Sequence, residues 1–222
     1  MIEIAIDGPA ASGKGALGKK LSDKYNFPYL DTGILYRKVA YELIKNNIKN
    51  SENLEILCCN FAKNLNLKEF KNKNLRTEDV AKLASKIAIF PNLRKILNNK
   101  QKEFSNFNKK QFGGCILDGR DIGTTILPNA DFKFFITASI EVRAKRRLLQ
   151  KNISFLHEND EKCMLHTLIN DMKERDKLDS NRKTSPLVPA KDAHVIDTTI
   201  INSQELLLIV TNIIEGKNEL LK

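Results

Sequence analysis

The first fifteen residues constrain the fold more than any other stretch. Ile2, Ile4, Ala5 and Ile6 form a short apolar run that predicts a buried strand, and Asp7-Gly8-Pro9-Ala10-Ala11-Ser12-Gly13-Lys14-Gly15 follows with no spacer. Gly8, four residues, Gly13 and Lys14 match the core of the P-loop pattern. In such a loop the backbone N–H groups and the start of the next helix point at phosphates, and the lysine meets their charge. Glycine is needed where a side chain would hold the backbone off the phosphate. The pattern is incomplete, because the hydroxyl residue usual after the lysine is Gly15 here, with Ala16 next. A glycine-rich turn before a helix is also an ordinary connection. The strand ahead of this one and the helical spacing of Leu17, Leu21 and Tyr25 behind it favour a phosphate site.

At 222 residues the chain fits one compact domain with room for a small inserted or mobile subdomain. No apolar run is long enough for a membrane span, and no basic stretch precedes an apolar one at the start, so a soluble chain without a signal peptide is expected. Cys58, Cys59, Cys115 and Cys163 have neither metal-ligand nor disulfide spacing and read as buried free thiols in a reducing cytosol. His157, His166 and His194 are scattered and take no role.

The net charge of +10 invites a nucleic-acid partner, but its distribution argues otherwise. Lysine is spread along the chain, often beside asparagine, and coats the surface. Arginine supplies only nine of the 37 basic residues, several of them grouped near candidate strand and helix ends. Where lysine is the default cation, a retained arginine points to a planar fork for carboxylate or phosphate. A small phosphorylated ligand fits better than a duplex.

Four more strands are expected at Pro28–Leu30, Gly114–Leu117, Phe132–Ile136 and His194–Ile196, with helical patterns between them. The alternation predicts an α/β fold with a five-stranded parallel sheet covered on both faces. Ser139 is placed as an N-cap and Thr77-Glu78-Asp79 as a helix start that Pro91 ends. Ser203 opens the last helix and Gly216 closes it. Lys68 to Asn74 reads as a loop, and Asp179 to Lys191, with Pro186 and Pro189, as an exposed one.

Strand ends feed charged loops. Leu30-Asp31-Thr32-Gly33-Ile34-Leu35-Tyr36-Arg37 follows the second strand, and Leu117-Asp118-Gly119-Arg120-Asp121-Ile122-Gly123-Thr124 the third. Ligands of open parallel sheets bind at the carboxyl ends of the strands, so Arg37 and Arg120 are expected to face the same crevice as Lys14. Arg143, Arg146 and Arg147 share one helix face, a stripe that is usually just solvated. Glu174-Arg175-Asp176 ends the next helix and leads to Asp179 and Arg182. Two arginine-bearing helix ends around one connection make the layout of a lid, and a lid that excludes water suits phosphoryl transfer.

These motifs together resemble the bacterial cytidylate kinase family. The resemblance rests on Ile4-Ala5-Ile6-Asp7-Gly8-Pro9, Leu30-Asp31-Thr32-Gly33 with Tyr36-Arg37, Arg76-Thr77, Ser85 and Phe90-Pro91. It continues through Asp118-Gly119-Arg120-Asp121-Ile122-Gly123-Thr124, Glu174-Arg175-Asp176, Asp179 with Asn181-Arg182, and Pro186-Leu187-Val188-Pro189, in order over nearly the whole chain. It implies an adenylate-kinase-like P-loop fold in a single domain, with a monophosphate-binding segment over about 37–107 and a lid over about 143–190. ATP with Mg²⁺ would be the donor and CMP or dCMP the acceptor.

Carried over by residue, Gly8, Pro9, Ala10, Ala11, Ser12, Gly13, Lys14, Gly15 and Ala16 would hold ATP, with Mg²⁺ bound mainly through phosphates and water. Thr32, Arg37 and Arg120 would take the monophosphate, Ser85, Arg94 and Asp121 cytosine, and Asp179 with Arg182 the sugar. Lys14, Arg120, Arg175 and the Arg143–Arg147 face, Arg146 foremost, would neutralise the transferring phosphoryl group. The implied protein is a cytoplasmic monomer acting on free nucleotides, without nucleic acid or membrane. Alternatives are a kinase for UMP or AMP, against which Asp121 and Ser85 argue, and a nucleotide-responsive binding protein that has lost activity with its P-loop hydroxyl. This chain departs from the family in lacking that hydroxyl and in a trimmed stretch between Arg37 and Arg76.

Overall fold

The computed structural model describes residues 1–48, 52–66, 73–150, 157–182 and 184–216. Its strands are β1 Ile2–Asp7, β2 Tyr29–Asp31, β3 Gly114–Gly119, β4 Phe132–Thr137 and β5 His194–Asp197, in the sheet order β2-β3-β1-β4-β5. β1 is parallel to both β3 and β4, and β4 to β5. The five expected strands and the α/β class are all present. Around the strands lie α1 Lys14–Tyr25, α2 Gly33–Lys45, α3 Leu54–Lys63, α4 Glu78–Ile87, α5 Pro91–Phe112, α6 Ile140–Leu149, α7 Glu158–Ser180 and α8 Ser203–Ile214.

Register sets where the loops leave the sheet. Asp7 lies opposite Gly119 on one side and Phe135 on the other, so the carboxyl ends of β1 and β3 are level and β4 runs on to Thr137. The loops after β1 and β3 therefore emerge along one edge, where open parallel sheets bind ligands. β3 is buried along its whole length, as its run Gly-Cys-Ile-Leu-Asp-Gly suits a central strand covered on both faces.

Local sequence explains the helix ends. Ser139 Oγ accepts the Val142 N–H at 3.3 Å and caps α6. Pro91 occupies the first position of α5, where its missing N–H costs nothing, while α4 stops earlier at Ile87. Ser203 opens α8 as expected, and Asn202 before it is the cap. Its side chain accepts from the Gln204 and Glu205 N–H groups while Glu205 accepts from the Asn202 N–H, a full capping box. Gly216 follows α8 with φ near 70°.

The chain divides into two compact units, residues 1–29 with 108–222 and residues 30–107. The first is cored by Ile4, Ile6, Leu17, Leu21, Ile116, Phe134, Ile136, Leu206 and Val210, with a second cluster of Ala144, Leu148, Leu168 and Met172. The second has its own core, built on Leu35, Val39, Leu43, Leu75, Ile87, Leu93 and Leu97.

Several expectations are corrected. Asp179 to Lys191 is not simply an exposed loop: Asp179 is 1% exposed at the end of α7, and Ser185 and Leu187 are buried. Two arginines meet the Asp179 charge, and the Leu187 N–H donates to the Asp179 carbonyl, drawing the segment inward. Lys73–Arg76 forms a 3₁₀ turn, and the rest of the loop expected at Lys68 to Asn74 lies outside the described residues. Cys58 and Cys115 are buried free thiols as expected, but Cys59 is half-buried and Cys163 is exposed. The connection 151–156 of the expected lid also lies outside the described residues. No helix among those described is long and apolar enough to cross a membrane.

Candidate active site

The loop after β1 is shaped by a few backbone torsions. Gly8 has φ near 148°, and a Cβ there would stand 2.0 Å from the Ile136 carbonyl oxygen, so only glycine fits. Gly13 caps α1 with φ near 103°, and Ala11 between them also takes a left-handed φ of 59°. Lys14 is the first residue of α1 and folds back to donate to the Pro9 carbonyl at 3.2 Å. Its ammonium thus spans the loop at a helix start, where the helix dipole favours anions. Gly15 is half-buried and Ala16 exposed.

Other donors tie down the loop carbonyls. Arg143 Nη1 donates to the Ala10 carbonyl at 3.4 Å, and Arg146 Nη1 to that of Ser12 at 3.4 Å. Thr198 Oγ1 lies 2.9 Å from the same Ser12 carbonyl and accepts from Arg146 at 2.8 Å, while Arg146 Nη2 donates to the Thr198 carbonyl at 2.6 Å. With carbonyls turned toward these donors, the loop is set as a concavity for an anion. The α6 arginines are therefore not a solvated stripe. Arg143 is 6% exposed, pairs with Asp176 at 2.6 Å and so backs the loop from behind. Arg146 is half-buried, and burial lowers its pKa. Arg147, by contrast, donates to Gln150 Oε1 at 3.4 Å.

Asp7 ends β1 and is 4% exposed. Its two oxygens accept the Ile122 and Gly123 N–H groups at 2.8 and 2.7 Å, clamping the π-helical turn Ile122–Ile126 to the P-loop strand. Burial outweighs those bonds and the nearby Lys14 and raises its pKa to about 6.

The end of β3 carries the densest charge. Asp118 is buried and its Oδ2 accepts the Tyr29 hydroxyl at 2.8 Å. Arg120 Nε donates to Asp179 Oδ2 at 2.9 Å, and Arg182 donates to the other oxygen of Asp179. Burial alone would lower the Arg120 pKa, but Asp179, Asp118 and Asp176 hold it above its ordinary value. Burial would likewise raise Asp179, yet Arg120, Arg182 and Arg175 keep its carboxyl below the usual carboxylate value. Asp121, 8% exposed, precedes the π-helical turn, and its carbonyl accepts the Thr125 and Ile126 N–H groups at 2.9 and 3.2 Å. Arg120, Asp179 and Arg182 thus form one cluster, with Arg175 half-buried on α7 one turn before Asp179.

The remaining expected residues belong to the second unit. Thr32, 5% exposed, stands at the start of α2, and Arg37 on α2 donates to the Leu75 carbonyl at 3.1 Å. Ser85 on α4 has a buried Oγ with no hydrogen-bond partner among the described residues. Arg94 on α5, 3% exposed, donates to the Ala88 carbonyl at 3.2 Å, with its guanidinium 5.8 Å from the centre of the Tyr36 ring. A buried serine oxygen is costly unless a ligand or water uses it.

Residue reasoning missed Asp7, Thr198 and the Tyr29–Asp118 pair. Asp7 and Asp118 carried a usable signal, since each is an acid at the carboxyl end of a central parallel strand.

A left-handed glycine loop between the first strand and first helix of a 2-3-1-4-5 sheet, with its lysine folded across it, defines a P-loop nucleotide-binding α/β protein. The chain belongs to the cytidylate kinase family, whose sequence profile matches residues 4–216. It is 40% identical to the cytidylate kinase of Bartonella tribocorum over 96% of this chain and 94% of that one. It is 39% identical to that of Paramagnetospirillum magneticum, over 96% and 98%. A solved structure of an uncharacterized protein from Eubacterium ventriosum superposes with a TM-score of 0.52 at 17% identity. It covers 97% of this chain and 99% of that one, and shows the fold alone.

Proposed function

We propose that this chain transfers the terminal phosphoryl group of ATP to CMP or dCMP, giving ADP and CDP or dCDP. The observation that carries the reading is the shared sheet edge, where the Lys14 loop and the Asp118-Gly119-Arg120-Asp121 turn emerge at one level. Such a reaction needs no protein nucleophile. It needs the acceptor phosphate aligned on the donor phosphorus and the charge neutralised. Gly8 to Ala16 hold the ATP phosphates, with Lys14 as the principal cation. Arg120, Arg146 and Arg175 serve the transferring group and the acceptor phosphate.

Asp121 reads cytosine. An ionised carboxylate only accepts, so it suits the exocyclic amine and repels the carbonyl that uracil has there. Thr32, Arg37, Ser85 and Arg94 are assigned to the monophosphate, its base included, and Asp179 with Arg182 to the sugar. Because the sugar hydroxyls then have to share Asp179 with two arginines, binding would loosen the present pairing with Arg120.

The family implies Mg²⁺. Among the described residues no group of three or more acids, histidines or cysteines could hold a metal. One buried carboxylate, Asp118, sits beside Gly15 at the start of α1. That donor set fits Mg²⁺, which usually leans on one or two carboxylates plus substrate phosphates and water. The ion would supply charge neutralisation of the phosphates when bound. The reading extends to a monomer working in the cytoplasm on free nucleotides, with no nucleic acid involved.

A coupled ADP-release assay with ATP–Mg²⁺ and CMP, dCMP, UMP and AMP tests the proposal. CMP and dCMP should be turned over with a kcat/KM at least about tenfold above that for UMP and AMP. No ADP release with any monophosphate would leave a binding protein instead.

A further inference from the structure

Gly15 and Gly18 lie three residues apart on one face of α1, and the Tyr29 side chain lies along the groove they leave. A Cβ on Gly18 would stand 2.4 Å from Tyr29 Cε2, so the ring rests on bare helix backbone. A Cβ on Gly15 would stand 3.6 Å from the Tyr29 hydroxyl oxygen and 3.3 Å from Asp118 Oδ2. That hydroxyl donates to Asp118 Oδ2 at 2.8 Å. A hydroxyl and a carboxylate thus already fill the space where a side chain at the position after the P-loop lysine would begin.

We infer that Tyr29 is a positioning residue for the phosphate site: its hydroxyl, held by ring packing on α1, aims Asp118 for the Mg²⁺–nucleotide. The inference rests on the kinase reading above. A buried carboxylate can rotate about its terminal torsion. A donor fixed by ring packing on two glycines sets the direction of its lone pairs, as outer partners of metal-binding carboxylates do. On this account Gly15 is not a defect in the loop. A serine there would crowd Asp118 and Tyr29 rather than restore a lost contact.

The test is ATP affinity by calorimetry, in EDTA and in saturating MgCl₂, for wild type, Tyr29→Phe, Gly18→Ala and Lys14→Ala. Tyr29→Phe keeps the ring packing and loses only the hydroxyl, so its melting temperature should stay near wild type. Wild type should bind ATP more tightly with Mg²⁺. Tyr29→Phe should match it within about twofold in EDTA but lose about tenfold of the Mg²⁺ enhancement, at the low end of losses for outer metal partners. Gly18→Ala, which pushes the ring off its seat, should lose the enhancement too. If it does not fold, Tyr29→Phe decides alone.

An unchanged enhancement in Tyr29→Phe, an equal loss in EDTA, or no enhancement in wild type would each overturn the inference. Lys14→Ala separates it from the reading beneath it. That variant should lose ATP affinity in both media, and if it binds ATP like wild type, the phosphate site itself is wrong.

Discussion

Two buried carboxylates in the first unit are pushed in opposite directions, and the contrast has consequences for stability. Asp7 accepts two backbone N–H bonds but meets no close cation strong enough to offset its burial, so its pKa rises from 3.8 to about 6. Asp179 is as deeply placed but sits between Arg120 and Arg182, and is held below 3.8. A raised carboxylate binds its proton more tightly folded than unfolded. Its stabilisation is full below about pH 4 and lost as pH rises through about 6, up to roughly 3 kcal/mol. The Asp179 contribution has the other sign: present above about pH 4, and lost as pH falls through its lowered pKa. Denaturant unfolding of wild type and Asp7→Asn should therefore show wild type losing about 2–3 kcal/mol relative to the variant between about pH 4 and 7. A gap that stays constant over that range would mean Asp7 is not titrating in the fold. Asp7 was visible in the sequence as an acid beside the loop. Its burial was not, because the amides it clamps belong to Ile122 and Gly123, far along the chain.

At the scale of elements, the P-loop and its backing helix act as one part. The strand, the loop and the start of α1 were legible because their signals are local: an apolar run, glycines where φ must be positive, and helical spacing after Lys14. The helix ends were legible for the same reason, through Ser139 and Pro91. The function of the α6 arginines was not. Three-residue spacing places Arg143 and Arg146 on one face, but what that face meets depends on Asp176, Thr198 and the loop carbonyls. Arg143→Ala leaves the Asp176 carboxylate beside a loop that has lost its clamp. It should cost about 2–3 kcal/mol in denaturant unfolding, less than the ~3–5 kcal/mol for a wholly buried pair because Asp176 keeps some exposure. It should also raise the KM for ATP. Loss of stability with unchanged ATP kinetics would confine Arg143 to packing. Gly8→Ala places a methyl 2.0 Å from a carbonyl oxygen, and should destabilise more than Gly113→Ala, which shares a positive φ but has open space around it. Equal effects in thermal unfolding would contradict the loop geometry.

For the whole molecule, the net charge of +10 is a weak guide and the placement of the arginines a strong one. Most described lysines are not buried, Lys133 being an exception, whereas Arg94, Arg120 and Arg143 are drawn into contacts with carbonyls and carboxylates. The parallel sheet followed from alternating strands and helices; its order, with β1 between β3 and β4, did not. Residue patterns did not mark the separate core of residues 30–107, because its apolar residues read as one more set of helices; only the family resemblance set off a segment there, over about 37–107. The proposed reading of cytosine by Asp121 is tested most sharply by kcat/KM for CMP and for UMP, with ATP–Mg²⁺, in wild type and Asp121→Ala. Wild type should favour CMP. The variant should lose about tenfold to a hundredfold on CMP, as expected for about 1–3 kcal/mol from an amine left unpaired, with its CMP-to-UMP ratio falling toward one. The same CMP-to-UMP ratio in both proteins would contradict the account.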